Sequence, residues 1–159
     1  MKMDKNKYKH VIGWNIILLV AIPLFAIFYP IEGKCDQEVK VVVKTIYASK
    51  NKNSIDPKIK DLVKEFNSVV KYSSYELLDQ KTLTLTKGQK GIVKIPGGRT
   101  IGITSKGINS GRVSLEIEYF KRNNEKLKTN SALPNNRGLT LAGPEYKGGI
   151  LFFNIFTSF

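Results

Sequence analysis

From residue 39 onward, apolar and polar side chains alternate in short runs broken at close intervals by turn-forming residues. The run Val39 to Ala48, VKVVVKTIYA, is dense in β-branched and aromatic side chains and predicts a first strand. In RVSLEIEYF the alternation is clearest. Val113, Leu115, Ile117 and Tyr119 share one face and Ser114, Glu116 and Glu118 the other, the pattern of a strand with one side in a core and one in water. YSSYELLDQ, TLTLT, GIVKI, TIGIT, KLKTNSAL, GLTLA and GILFFNIFT read as further strands. Between them lie KGQK, PGGR, SKGINSG, KRNNE, PNNR and GPEYKGG, where Gly, Asn and Pro supply backbone angles that other residues adopt reluctantly. GILFFNIFT is apolar at both parities and predicts a central strand buried on both sides.

One stretch departs from this rhythm. In SKNKNSIDPKIKDLVKEFNSVV, Asp56 is placed to cap a helix, and Pro57 suits its first position. Ile59, Leu62, Val63 and Phe66 follow at i, i+3, i+4 and i+7, which predicts a short amphipathic helix ending near Asn67 with Lys58, Lys60, Lys64 and Glu65 facing water. The expected fold class is therefore mainly β, an antiparallel sandwich-like arrangement with one short helix. No internal repeat or low-complexity linker divides residues 36–159, which read as one domain.

The segment ahead of this domain has a different pattern. Val11 to Ile31, VIGWNIILLVAIPLFAIFYPI, is 21 residues without a charge, and a helix needs about 20 apolar residues to cross a bilayer core. Lys2, Lys5, Lys7 and Lys9 precede it against Asp4, whereas Glu32, Lys34, Asp36, Glu38 and Lys40 follow as a mixture. Such asymmetry places residues 1–10 in the cytoplasm, residues 11–31 across the inner membrane as a single-pass anchor, and residues 36–159 in the periplasm. Trp14 and Tyr29 stand near the two ends, where rings prefer the headgroup layer. The alternative is a cleaved signal peptide that releases the domain to the periplasm; bulky FAIFYPIEG in place of a small-residue cleavage site argues for the anchor. A third reading makes Cys35 a lipidated terminus, against which Glu32, Gly33 and Lys34 are the wrong neighbours.

Candidate chemistry is sparse. Cys35 is the one cysteine and His10 the one histidine, so neither an internal disulfide nor a multi-cysteine zinc site can be built, and residues 36–159 hold no histidine for general-base or metal chemistry. No cofactor or catalytic residue is assigned. Glu116 and Glu118, two apart on a strand, offer the one paired-carboxylate arrangement for a glycan-acting enzyme, and polar-out alternation explains them equally. The turn holding Gly97, Gly98 and Arg99 could present amides and a guanidinium to an anion, though it lacks phosphate-loop spacing and a tight turn accounts for both glycines.

The chain carries 26 Lys+Arg against 13 Asp+Glu, and from Asp36 onward 21 against 11. This excess attracts anionic lipid or cell-wall polymer, or reflects lysines scattered over loops. Export and the lack of interleaved aromatic and basic residues argue against nucleic acid. IYASKNKNSIDPKIKDLVKEF, YSSYELL, IPGGRTIGI and LAGPEYKGGILFFNI resemble small exported proteins of Gram-negative bacteria with no assigned role, and that resemblance implies a periplasmic β-sandwich without naming a substrate. The function expected from these readings is a non-enzymatic, membrane-anchored module, a structural or accessory subunit of an envelope protein complex. Its rivals are a carboxylate-dependent enzyme acting on glycan and a basic domain that binds anionic lipid or cell-wall polymer.

Overall fold

The computed structural model describes residues 37–51, 53–66, 72–120 and 126–159. The segment 11–31, His10, Cys35 and the expected turn at 121–125 lie outside them. Among the described residues no helix is long and apolar enough to cross a membrane.

Residues 36–159 form one compact unit, whose described residues build nine strands: β1 (Val39–Ser49), β2 (Ser54–Ile55), β3 (Ser74–Leu85), β4 (Lys90–Ile95), β5 (Arg99–Asn109), β6 (Arg112–Phe120), β7 (Lys126–Pro134), β8 (Arg137–Tyr146) and β9 (Gly149–Ser158). They make a five-stranded sheet in the order β2-β3-β1-β9-β8 and a four-stranded meander β4-β5-β6-β7. All pairs are antiparallel except β2 with β3, a two-residue parallel pair that the sequence reading did not anticipate.

The sandwich follows from period-two alternation. Val39, Val41 and Val43 of β1 and Leu151, Phe153 and Ile155 of β9 face Ile101 and Ile103 of β5 and Val113, Leu115 and Ile117 of β6 in one core. Tyr119 meets Phe153 across the two sheets edge to face, with ring centroids 6.2 Å apart. The opposite parity of the five-stranded sheet builds a second, smaller cluster. Ile46, Ala48, Tyr75 and Phe152 are covered there by Ile59 and Val63 of the helical segment, which explains why Phe152 and Phe153, adjacent on β9, are both buried.

That helical segment starts as expected. The Asp56 carboxylate accepts the Lys58 amide at 2.9 Å, Pro57 opens a 3-10 turn (Pro57–Ile59), and the chain continues as α1 (Lys60–Phe66). Ile59 and Val63 are buried and Leu62 half-buried, while Lys58, Lys60, Lys64 and Glu65 are exposed.

Three expected breaks do not interrupt the strands. YSSYELLDQ and TLTLT merge into β3, whose ladder with β1 takes up one extra residue where Thr45 and Ile46 pair with Asp79 and Leu77. SKGINSG is not a seven-residue loop. β5 carries an irregularity between Ser105 and Ile108, with Gly107 at φ 102, and the ladder resumes because Ile108 returns to the core. Only Ser110 and Gly111, both left-handed, turn the chain. GPEYKGG likewise contributes Gly143 to Tyr146 to β8 past an irregularity, leaving Lys147 and Gly148 as the turn.

Among the described residues the hydroxyl of Thr45 is a buried side-chain group without a hydrogen-bond partner. Such a group costs about 1–3 kcal/mol, so Thr45→Val, which keeps the β-branched shape, is expected to raise the urea midpoint of unfolding. In the same assay Phe153→Ala is expected to lose about 3–5 kcal/mol, because it empties the centre of the core. Equal, small effects from both substitutions would contradict this packing.

Candidate functional site

β6 lies inside the four-stranded sheet, so its outward side chains have a strand on either hand. Glu116 stands between Thr104 of β5 and Asn130 of β7, and Glu118 between Gly102 and Lys128. Each carboxylate is held by two ammonium groups. Glu116 Oε2 lies 3.0 Å from Lys128 Nζ and 3.2 Å from Lys106 Nζ; Glu118 Oε2 accepts from Lys90, and its Oε1 is 3.6 Å from Lys126 Nζ. Both glutamate side chains are mostly covered, 15% and 17% exposed, whereas the lysines are about half exposed.

Gly102 makes the second clamp possible. A β-carbon there would stand 2.7 Å from Lys90 Cε and 3.4 Å from Glu118 Oε2, so the missing side chain lets the lysine lie across β5 to reach a carboxylate two strands away. Lys106, in the β5 bulge, reaches Glu116 from the same side.

The electrostatic result opposes the needs of a general acid. The hydrogen bond from Lys128 holds the Glu116 carboxyl below the usual carboxylate range; partial burial works against this and Lys106 adds to it. For Glu118 the Lys90 hydrogen bond has that role, opposed by partial burial and assisted by the charge of Lys126. A proton donor near neutrality needs a raised pKa, and these two groups stay ionised. Besides the glutamates, the face presents Lys90, Lys94, Lys106, Arg112, Lys126 and Lys128, so positive charge is in excess.

Gly97, Gly98 and Arg99 come together where the alternation placed them, at the β4–β5 turn closed by the Ile95–Arg99 pair. Both glycines are exposed and left-handed, φ 83 and 72. The Arg99 guanidinium folds back so that a β-carbon on Gly97 would sit 3.4 Å from its Nη1. Among the described residues there is no cluster of three or more His, Cys, Asp or Glu able to hold a metal.

Two further hollows escape a one-dimensional reading. One, about 460 Å³, lies on the outer face of the five-stranded sheet beside α1 and is lined by Lys44, Leu62, Glu65, Arg137, Asn154 and Phe156. Phe156, paired with Val42 on one side and Gly138 on the other, remains 37% exposed. The other, about 590 Å³, opens at the end of the same sheet between Tyr72 and the β8–β9 turn. Its one local signal is the GPEYKGG run; Tyr72 arrives from a distant segment.

The lowered pKa of each clamped glutamate has a sign. Their contribution is fully present above the unfolded-state carboxylate pKa and lost as pH falls through the lower folded value. The urea midpoint is expected to drop between about pH 5 and pH 2, less steeply in high salt, and the Glu116→Gln, Glu118→Gln double variant should flatten that slope. Gly102→Ala should displace Lys90, returning the Glu118 carboxyl toward its ordinary value in an NMR titration while Glu116 keeps its depressed one. Identical Glu118 titrations in both proteins would refute the role given to Gly102.

No family profile matches the chain, and neither a curated protein nor a solved structure matches it, so its own residues are the guide to its role.

Proposed function

We propose that the chain is a non-enzymatic, membrane-anchored module of the cell envelope, held in the inner membrane by Val11 to Ile31, with its β-sandwich in the periplasm as a structural or accessory subunit of an envelope protein complex. The observation that carries this reading is the double clamp on β6. The carboxylate pair that an enzyme acting on glycan would use is ionised, and each member is shared between two lysines on a sheet face.

Protection of the sheet edges directs a partner toward a face. β3 is bulged and carries Lys81, β8 is irregular and carries Pro144, β4 carries Lys90 and Lys94, and β7 ends in Pro134. All of these discourage strand addition. The helical segment covers the outer face of the five-stranded sheet around Ile46, Ala48 and Phe152, whereas Val42 and Phe156 lie beyond it. Another envelope protein seated there would bury the exposed ring of Phe156.

A second reading is favoured by one observation, the surplus of cationic groups on the four-stranded sheet. That face suits anionic lipid headgroups or cell-wall polymer.

The two readings predict different chemistry. After solubilisation in mild detergent, the full chain should retain a protein partner through a high-salt wash, and Phe156→Glu should release it; retention by that variant, or no salt-resistant partner, would reject the assembly reading. For the second, the full chain is placed in nanodiscs of phosphatidylcholine with or without phosphatidylglycerol and treated with an amine-reactive reagent. Protection of Lys90, Lys94 and Lys126 only in the anionic discs, and only at low salt, is the expected result; equal labelling in both would exclude lipid attraction.

A further inference from the structure

β1 begins at one end of the sandwich, and several turns gather there. The β3–β4 turn lies against the β5 bulge: the Gly88 amide donates to the Ser105 carbonyl at 2.6 Å, and a β-carbon on Gly107 would stand 3.1 Å from Lys87 Cδ. The β7–β8 turn is tied to the residues that close β9. Asn135 and Phe159 exchange two hydrogen bonds, and the Thr157 hydroxyl donates to the Arg137 carbonyl at 3.1 Å.

This end is basic. Lys40 on β1, Lys87 in the β3–β4 turn, Arg112 at the start of β6 and Arg137 at the start of β8 are all exposed, and none of them forms an ion pair among the described residues. Lys106 lies at the same end but is already held by Glu116, and the one acidic side chain described there is Glu38. The opposite end mixes signs, with Lys50, Arg99 and Lys147 beside Asp56 and Glu145. On the four-stranded sheet, Lys90, Lys126 and Lys128 are shared with glutamates.

We propose that the end of the sandwich carrying Lys40, Lys87, Arg112 and Arg137 rests on anionic lipid headgroups. The inference goes beyond the reading of an anchored module and depends on its anchor at Val11 to Ile31. Residues 32–38 separate that segment from β1, a path from Ile31 to Val39 of at most about 28 Å when fully extended. β1 itself has 11 residues and spans about 34 Å. So short a tether cannot turn the opposite end to the bilayer, whereas the basic end lies within its reach. The ammonium and guanidinium groups there are free to pair with lipid phosphates, and each cation near an anionic surface adds to the attraction.

For the test, the full chain is placed in nanodiscs of phosphatidylcholine, or of phosphatidylcholine and phosphatidylglycerol in equal parts, and its lysines are labelled with an amine-reactive reagent and read by mass spectrometry. In the anionic discs Lys40 and Lys87 are expected to react about fivefold or more slowly than in the neutral ones, with Lys50 and Lys147 at the opposite end and Lys94 on the sheet face unchanged. High salt should erase the difference. The Arg112→Gln, Arg137→Gln double variant should lose most of that protection and keep the unfolding midpoint. Equal labelling of Lys40 and Lys87 in the two discs, protection of Lys94 and Lys126 in their place, or full protection in the double variant would overturn the proposal and leave the anchor intact. Elution of the chain apart from neutral discs at high salt would instead remove the anchor, and the proposal with it.

Discussion

Everything in the sandwich depends on the pairing of β1 with β9. These two strands, the first and last among the described residues, lie side by side at the centre of the five-stranded sheet, Lys40 opposite Ser158 and Ala48 opposite Ile150. Between them runs the rest of the fold: out through the helical segment and β3, across to the meander, and back through β8. The pair contributes the buried valines and the Phe153 ring against which the meander packs. Contacts of such long sequence separation carry a loop-closure cost before they stabilise anything. The sheet must therefore gain from both of its faces, and β9, apolar at both parities, meets that need.

The two sheets solve their outer faces differently. Over the five-stranded sheet, apolar side chains are covered by one short helix that needs a cap, a proline and three apolar contacts to hold its position. Among the described residues no element is laid over the four-stranded sheet, and the outward side chains neutralise one another in part. With the glutamates on an interior strand, lysines from β4, the β5 bulge and β7 converge on them. Exposed ion pairs contribute little singly; a network that covers the carboxylates to this degree orients long side chains and leaves a field of one sign around them.

Tight approaches of backbone to side chain recur where the surface has shape. Gly102 clears a path for Lys90, and Gly149 lets β9 begin against Tyr47. Each glycine, without a positive φ, is explained by what a β-carbon would strike, a reason that sequence inspection does not supply. The same holds for the hollow beside Tyr146. Its aromatic walls belong to segments that meet only because β1, β3 and β9 share a sheet.

The amino-acid sequence by itself determined the class of fold, the helix with its cap, and the face on which each residue of β6 lies, because period two and period 3.6 are local properties of the backbone. It also located Gly97, Gly98 and Arg99 in a turn. Tertiary structure alone decided that polar stretches continue as strand, DQK in regular register with β1 and SKGIN through a bulge, since a ladder partner compensates a weak local preference. It alone decided which lysine meets which glutamate, and hence that each carboxylate of β6 is shared between two ammonium groups. The physical reason is one of range: alternation is written between neighbours, whereas an ion pair or a hollow exists only where folding brings distant segments within a few ångströms.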